Sequence, residues 1–222
     1  MIVEFIGESG CGKTTLARQV LPRIPDGKKK DSVSARESLR YLARALGDSG
    51  TRGLLLSMIR AEMAANGFSR LGKNTLHIAG LFNILLEDRD DSAVWILDQG
   101  LVQHSQSVYY ETAVDDRYLE IMRKLMESGR YYIVFCHCDP ETLRERISQR
   151  AKSVDEPIRR IERADEAVFR LHERNFQTLL SVLGEESYIS VDTAEDLRAN
   201  ADRVCAFIQS RRDRSCEQKR PF

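Results

Sequence analysis

The chain has 222 residues, which is long enough for one large domain with its own core. Its 34 Lys and Arg residues balance 34 Asp and Glu residues, so net charge predicts no bulk attraction to nucleic acid or to a membrane surface. No apolar run is long enough for a membrane span, and a strand predicted from residue 2 leaves no room for a signal peptide. Together with an odd number of cysteines, this favours a cytoplasmic protein without disulfides.

A glycine-rich segment between a predicted strand (residues 2–6) and a predicted helix (residues 15–20) carries most of the functional signal. Its glycines allow consecutive backbone N–H groups to face one anion, and the following helix adds the positive end of its dipole. In this pattern the lysine reaches the outer phosphates of a nucleotide and the next hydroxyl binds Mg²⁺. The predicted nucleotide-binding residues are Gly7, Glu8, Ser9, Gly10, Cys11, Gly12, Lys13, Thr14 and Thr15.

Further along the chain, apolar runs at residues 93–97, 131–136 and 187–191 indicate strands that are buried on both faces. Helical patterns separate them, at residues 55–63, 118–125, 139–150, 158–182 and 195–209. Strands that alternate with helices predict an α/β fold with a doubly wound, mostly parallel sheet. We expect a single domain over residues 1–210 and a mobile charged tail over residues 211–222.

The second strand of such a sheet is the least evident element. Only residues 32–34 have strand character between the first helix and residue 53, and a run of lysines at residues 28–30 precedes them. We interpret the lysine run as a solvated loop rather than a binding site. The helical region at residues 35–90 is expected to cover the side of the site where a second substrate binds.

Asp98 follows the predicted strand at residues 93–97, at the sheet edge where ligands bind in this topology. A carboxylate there can hold the Mg²⁺ shell or accept a proton from an attacking hydroxyl, and the sequence leaves both roles open.

Arginines cluster after the strand at residues 131–136, within residues 144–163. They form either a solvated basic face or a mobile lid whose guanidinium groups bind the phosphates of a nucleotide. For Arg146 and Arg150, which lie four residues apart on one helix face, we favour the lid and a contribution to catalysis.

These motifs resemble the P-loop nucleoside and nucleotide kinase family, and within it the thymidylate-kinase-like group. The similarity rests on residues 7–14, 95–98, 139–150 and 190–196. It implies ATP and Mg²⁺ as cofactors, with Lys13 on the phosphates, Thr14 and Asp98 at the metal, Arg146 and Arg150 on ATP, and Thr193 near the adenine. The family has arginine after its strand-end acid, but here Gln99 follows Asp98, so a standard nucleoside monophosphate acceptor is not implied.

The resulting hypothesis is a phosphotransferase that moves the γ-phosphate of ATP to a small-molecule hydroxyl or phosphate. An NTP-hydrolysing switch and a nucleotide-binding module without catalysis remain as alternatives. The acceptor is not identified, no nucleic acid or membrane partner is expected, and a homodimer is left open.

Overall fold

The computed structural model of the chain describes residues 1–29, 35–66, 93–109, 112–127, 129–153 and 166–217. Its strands are β1 (Ile2–Ile6), β2 (Gly27–Lys29), β3 (Val94–Leu97), β4 (Tyr131–His137) and β5 (Tyr188–Asp192). Its α-helices are α1 (Lys13–Val20), α2 (Ala35–Gly47), α3 (Ser49–Asn66), α4 (Leu101–Val108), α5 (Asp116–Glu127), α6 (Pro140–Ser153), α7 (Glu166–Val182) and α8 (Leu197–Glu217). Within these residues no helix is long and apolar enough to cross a membrane.

The strands form one five-stranded sheet in the order β2-β3-β1-β4-β5, and every pairing is parallel. Because all carboxyl ends therefore lie at one edge, the segments that follow β1, β3, β4 and β5 meet there. The predicted doubly wound sheet with flanking helices is confirmed. The lid stays a prediction, since residues 154–165 lie outside the described residues.

Helices cover the sheet on both faces, which explains why its inner strands β1, β3 and β4 are almost continuously apolar. Along β1, Ile2 and Ile6 belong to one buried cluster, while Val3 and Phe5 belong to the cluster on the opposite face. Glu4 shares the face of Ile2 and Ile6 and has no exposed surface. It is an acid inside an apolar layer, a position that needs a physical explanation.

The second strand corrects one of the interpretations made from sequence. The start of the lysine run is not a solvated loop, because Gly27–Lys29 form β2 and pair with β3. Lysine suits an edge strand, since its stem covers apolar surface while its charge discourages pairing with another chain. The ammonium of Lys28 lies 5.6 Å from the centre of the Trp95 ring. Residues 32–34 lie outside the described part of the chain.

The last helix also differs from the prediction, which ended it near residue 209 and expected a mobile tail from residue 211. Helix α8 continues to Glu217. Two arginines in this extension bind elsewhere in the molecule: Arg212 lies 3.3 Å from the Asp26 carboxylate, and Arg214 lies 2.6 Å from that of Glu186. These ion pairs give the extension tertiary partners, a feature that local periodicity does not show.

Candidate nucleotide-binding site

The phosphate loop, residues 7–14, connects β1 to α1 and has the backbone that its glycines predict. Gly7, Gly10 and Gly12 all have positive φ, at 142°, 90° and 94°. At Gly7 the space is closed as well, because a Cβ atom would lie 2.1 Å from the carbonyl oxygen of Cys136 on β4. Gly12 takes the left-handed conformation immediately before α1 begins. The loop therefore turns sharply against the sheet edge and presents the first turn of α1, whose N–H groups have no intrahelical partners.

The Lys13 side chain folds back onto the start of this loop. Its Nζ donates to the carbonyl oxygens of Gly7, at 2.8 Å, and Glu8, at 2.7 Å. The ammonium is thus held at the loop by neutral carbonyls, which a phosphate oxygen can replace as acceptors.

Thr14 and Asp98 come together on the β2 side of the loop. Both line a small cavity between α1 and the strands β2 and β3. Lys29 of β2 lines it too, with its Nζ 4.0 Å from Oδ2 of Asp98. The structure thus juxtaposes the two predicted metal-binding side chains and adds a cation that sequence reasoning had assigned to solvent.

On the other side of the loop, Arg146 of α6 binds the phosphate loop and the segment after β5 together. Its Nη2 donates to the Thr193 carbonyl at 2.8 Å and its Nη1 to the Thr193 hydroxyl at 2.9 Å. Nη1 also lies 3.4 Å from the Cys11 carbonyl oxygen. The Thr193 hydroxyl is itself 2.5 Å from that carbonyl oxygen, to which it donates. Two residues predicted from separate motifs are therefore joined at the loop.

Arg146 and Thr193 line an open pocket of about 700 Å³ beside the phosphate loop. Its size lies within the range of small-molecule and cofactor sites, and loop residues Gly10, Gly12 and Thr15 form one wall. The backbone at Arg150 continues α6, but the side chain lies outside what the structure describes. Its predicted contact with ATP stays a prediction.

Two further residues bind the loop and do not belong to any of the predicted motifs. The side-chain oxygen of Gln103 on α4 accepts the Gly7 N–H at 2.9 Å. His172 of α7 lies with Nδ1 3.1 Å from the Glu8 carboxylate. Neither belongs to a local motif, and each contact spans more than ninety residues of sequence, 96 and 164 respectively.

The loop also contains a buried thiol. Cys11 is 1% exposed, and burial raises the pKa of its thiol, an effect that the nearby Lys13 ammonium partly opposes. Burial raises the pKa of Cys136 well above its ordinary value too. Neither cysteine forms a disulfide, and both pack in the apolar cluster between the loop and β4.

Comparison with known proteins agrees with this architecture. A family model described as an AAA domain matches residues 2–179, and no curated protein sequence matches the chain. Deoxyadenosine kinase from M. mycoides with bound dATP has a TM-score of 0.54 at 12% identity, over 94% of this chain and 100% of that one. The same enzyme with products dCMP and a flexible dCDP has a TM-score of 0.48 at 14% identity, over 95% of this chain and 100% of that one. Shikimate kinase from Acinetobacter baumannii in complex with shikimate has a TM-score of 0.44 at 14% identity, over 94% of this chain and 93% of that one.

The likeness to the dATP-bound deoxyadenosine kinase, with a TM-score of 0.54, confirms the P-loop kinase fold that the sequence motifs predicted. At 12% identity the likeness to the dATP-bound enzyme concerns the fold, and the roles of individual residues rest on the geometry described above.

Proposed function

The chain belongs to the AAA domain family, and from this premise we propose that it is an ATP-dependent phosphotransferase with a small-molecule acceptor. The observation that carries the proposal is Arg146, which places a second cation at the phosphate loop beside Lys13. Phosphoryl transfer depends on positioning and on donors that stabilise the charge of the transferring group, and these two side chains supply such donors. A deoxyadenosine kinase that holds dATP on the same fold supports a nucleotide as the ligand.

In this proposal the open pocket beside Thr193 takes the base and sugar of ATP, and the loop takes its phosphates. The Lys13 ammonium leaves the Gly7 and Glu8 carbonyls for the outer phosphates. Arg146 needs little movement, because Thr193 already holds its guanidinium against the loop. Preorganised donors lose less entropy on binding, so more of their interaction energy remains for the transition state.

The cavity shared by Thr14 and Asp98 fits Mg²⁺, because a hydroxyl and a carboxylate are hard oxygen ligands. When bound there, the ion neutralises charge on the outer phosphates. We assign Asp98 a mixed role in which its carboxylate holds the metal shell and also accepts the proton of the attacking group. The Lys29 ammonium, 4.0 Å from Oδ2 of Asp98, lies against the same carboxylate.

For the acceptor we propose a hydroxyl compound rather than a nucleoside monophosphate. A phosphate acceptor needs a cation of its own, and Gln99 stands where an arginine would follow the strand-end acid. The even charge balance gives no bulk attraction to nucleic acid and is consistent with a small acceptor.

The test is a screen for phosphate transfer from Mg·ATP to nucleosides, nucleotides, sugars, hydroxy acids and aminoglycosides, read by product mass and ADP release. We expect transfer to a hydroxyl compound, and a fall in kcat of about a hundredfold or more in Lys13→Ala. Lys124→Ala is the matched control, because Lys124 is exposed on α5 and pairs with Glu120. ADP release that needs no acceptor would indicate a hydrolase instead, and Mg·ATP binding without turnover would indicate a binding module.

A further inference from the structure

Glu4 is a buried acid at the centre of the sheet that no part of the proposed chemistry uses. It is fully buried on the face of β1 that also carries Ile2 and Ile6. Leaving a carboxylate unpaired in such a layer is strongly unfavourable, so its partners are the key to its role.

Those partners are the N–H groups at the start of helix α4. The Glu4 carboxylate accepts three of them directly and contacts a fourth through the hydroxyl of Tyr131. Oε1 of Glu4 accepts from Gly100 N at 2.8 Å and Gln103 N at 2.7 Å, and Oε2 accepts from Val102 N at 2.9 Å. The Tyr131 hydroxyl on β4 donates to Oε2 and accepts the Leu101 N–H at 3.2 Å. The N–H groups that a helix start leaves without intrahelical partners are thus satisfied from the sheet.

This arrangement fixes the loop that carries Asp98, because α4 begins only three residues after it. Gly100 permits the close approach, since a Cβ atom there would lie 2.5 Å from Cδ of Glu4. The positive end of the helix dipole faces the carboxylate and favours its ionised form. Burial acts in the opposite direction and raises the pKa of Glu4, while its hydrogen bonds to Tyr131 and to the three N–H groups lower it.

The same network reaches the phosphate loop. Glu4 holds the backbone of Gln103, and the side chain of Gln103 accepts the Gly7 N–H. A continuous series of hydrogen bonds therefore runs from β4 and β1, through α4, to the first residue of the loop.

We propose that Glu4 is a positioning residue that sets the phosphate loop and the Asp98 loop relative to each other, acting through helix α4 and Gln103. The proposal rests on the proposed phosphotransfer only for its kinetic consequence. Its structural part, a coupling between residue 7 and residues 98–103, stands on the hydrogen bonds alone.

Glu4→Gln tests the proposal because it keeps the shape of the side chain but replaces one acceptor oxygen with an N–H₂ donor. If the amide nitrogen takes the place of Oε2, Val102 N loses its acceptor. If it takes the place of Oε1, Gly100 N and Gln103 N lose theirs. We expect amide hydrogen exchange to rise about tenfold or more both at residues 98–103 and at Gly7, although Gly7 does not touch Glu4. We expect kcat to fall about tenfold or more while the KM for ATP changes less than about threefold, since misplacement acts on the transition state.

Asn175→Ala is the matched control. Asn175 is 2% exposed on α7 and binds Val114 N, Tyr109 O and Thr112 O, a buried polar network of comparable size in which none of these partners belongs to the loop. It should lower thermal stability but leave exchange at Gly7 and kcat within about twofold of the wild type. Equal effects of Glu4→Gln and Asn175→Ala on exchange at Gly7 would overturn the proposal.

A double-mutant cycle between Glu4→Gln and Gln103→Leu tests the route. If Glu4 acts through Gln103, exchange at Gly7 in the double variant should match that in Gln103→Leu, whereas additive effects would overturn the proposal. Should Glu4→Gln fail to fold, Tyr131→Phe replaces it in the cycle, because it removes one donor and keeps the carboxylate. If the wild type transfers no phosphate, the proposed function fails, while hydrogen exchange at Gly7 and at residues 98–103 still decides the coupling.

Discussion

Gly7→Ala is the substitution whose outcome the structure determines most directly. The added Cβ would lie 2.1 Å from the Cys136 carbonyl oxygen and 2.9 Å from Sγ of Cys11. The first contact is with the backbone of β4, near the carboxyl edge of the sheet, where no side-chain rotation can relieve it. The φ angle of 142° is also one that L-residues avoid. The loop must therefore move by about 1 Å, or the strand end must yield.

The expected loss of stability follows from these two contributions. Holding a residue with a side chain in a sparsely populated φ/ψ region costs about 1–3 kcal/mol. Overpacking against a rigid neighbour costs about 1–3 kcal/mol more. The sum is at least about 2 kcal/mol, which for a chain of this size lowers Tm by about 4 °C or more.

Thermal unfolding and a Mg·ATP titration are the assays, with Gly184→Ala as the matched control. Gly184 has a φ of −66°, and nothing lies within 4 Å of a Cβ added there. Its replacement should change stability by less than about 1 kcal/mol. We expect Gly7→Ala to lose nucleotide affinity as well as stability, because a displaced loop presents its N–H groups differently. If Gly7→Ala melts within 1 °C of the wild type, the steric reasoning is refuted.

Three other changes probe the site. Arg146→Ala should leave the fold intact and weaken Mg·ATP binding about tenfold, because a charge-assisted donor is lost, and unchanged ATP kinetics would restore the solvated-face interpretation. Asp98→Asn should abolish transfer and weaken Mg·ATP binding if its role is mixed; retained affinity with lost turnover would indicate a base alone. Cys11 should alkylate at pH 8 at least about a hundredfold more slowly than the partly exposed Cys138 and Cys205, because burial raises its pKa and blocks access, and urea should abolish the difference. Peptide mass mapping checks this, and equal rates in the folded protein would contradict it.

Local sequence patterns were sufficient for the loop, the strand-end acid and most of the sheet. Residues 7–14 specify their conformation through glycines and a helix start, which are neighbours in sequence. The strands β3, β4 and β5 were evident because both of their faces are covered. Strand β2 was not predicted because it is short and lies at the edge of the sheet, where lysine is tolerated and no apolar run is needed.

The supporting contacts could not be predicted in the same way. Gln103 and His172 reach the loop from helices that are distant in sequence, and neither residue type has a pattern that indicates this. Glu4 did leave a signal, a single acid inside a continuous apolar strand. Such an acid must be hydrogen-bonded once it is buried, so it indicates an unseen donor set even before the donors are known.

The Thr193 hydroxyl has a consequence for the order in which the protein folds. It donates to the Cys11 carbonyl across 182 residues of sequence, and Arg146 contacts the same carbonyl across 135. Contacts of such large separation form late, because the intervening chain must be ordered first. A nascent chain that ends before β5 can have the loop, its lysine and Arg146, but it lacks Thr193, which holds both Arg146 and the Cys11 carbonyl. Under the proposed function, the guanidinium that binds the nucleotide is fully held only once β5 is in place, so nucleotide added during refolding should stabilise the final state rather than its precursors.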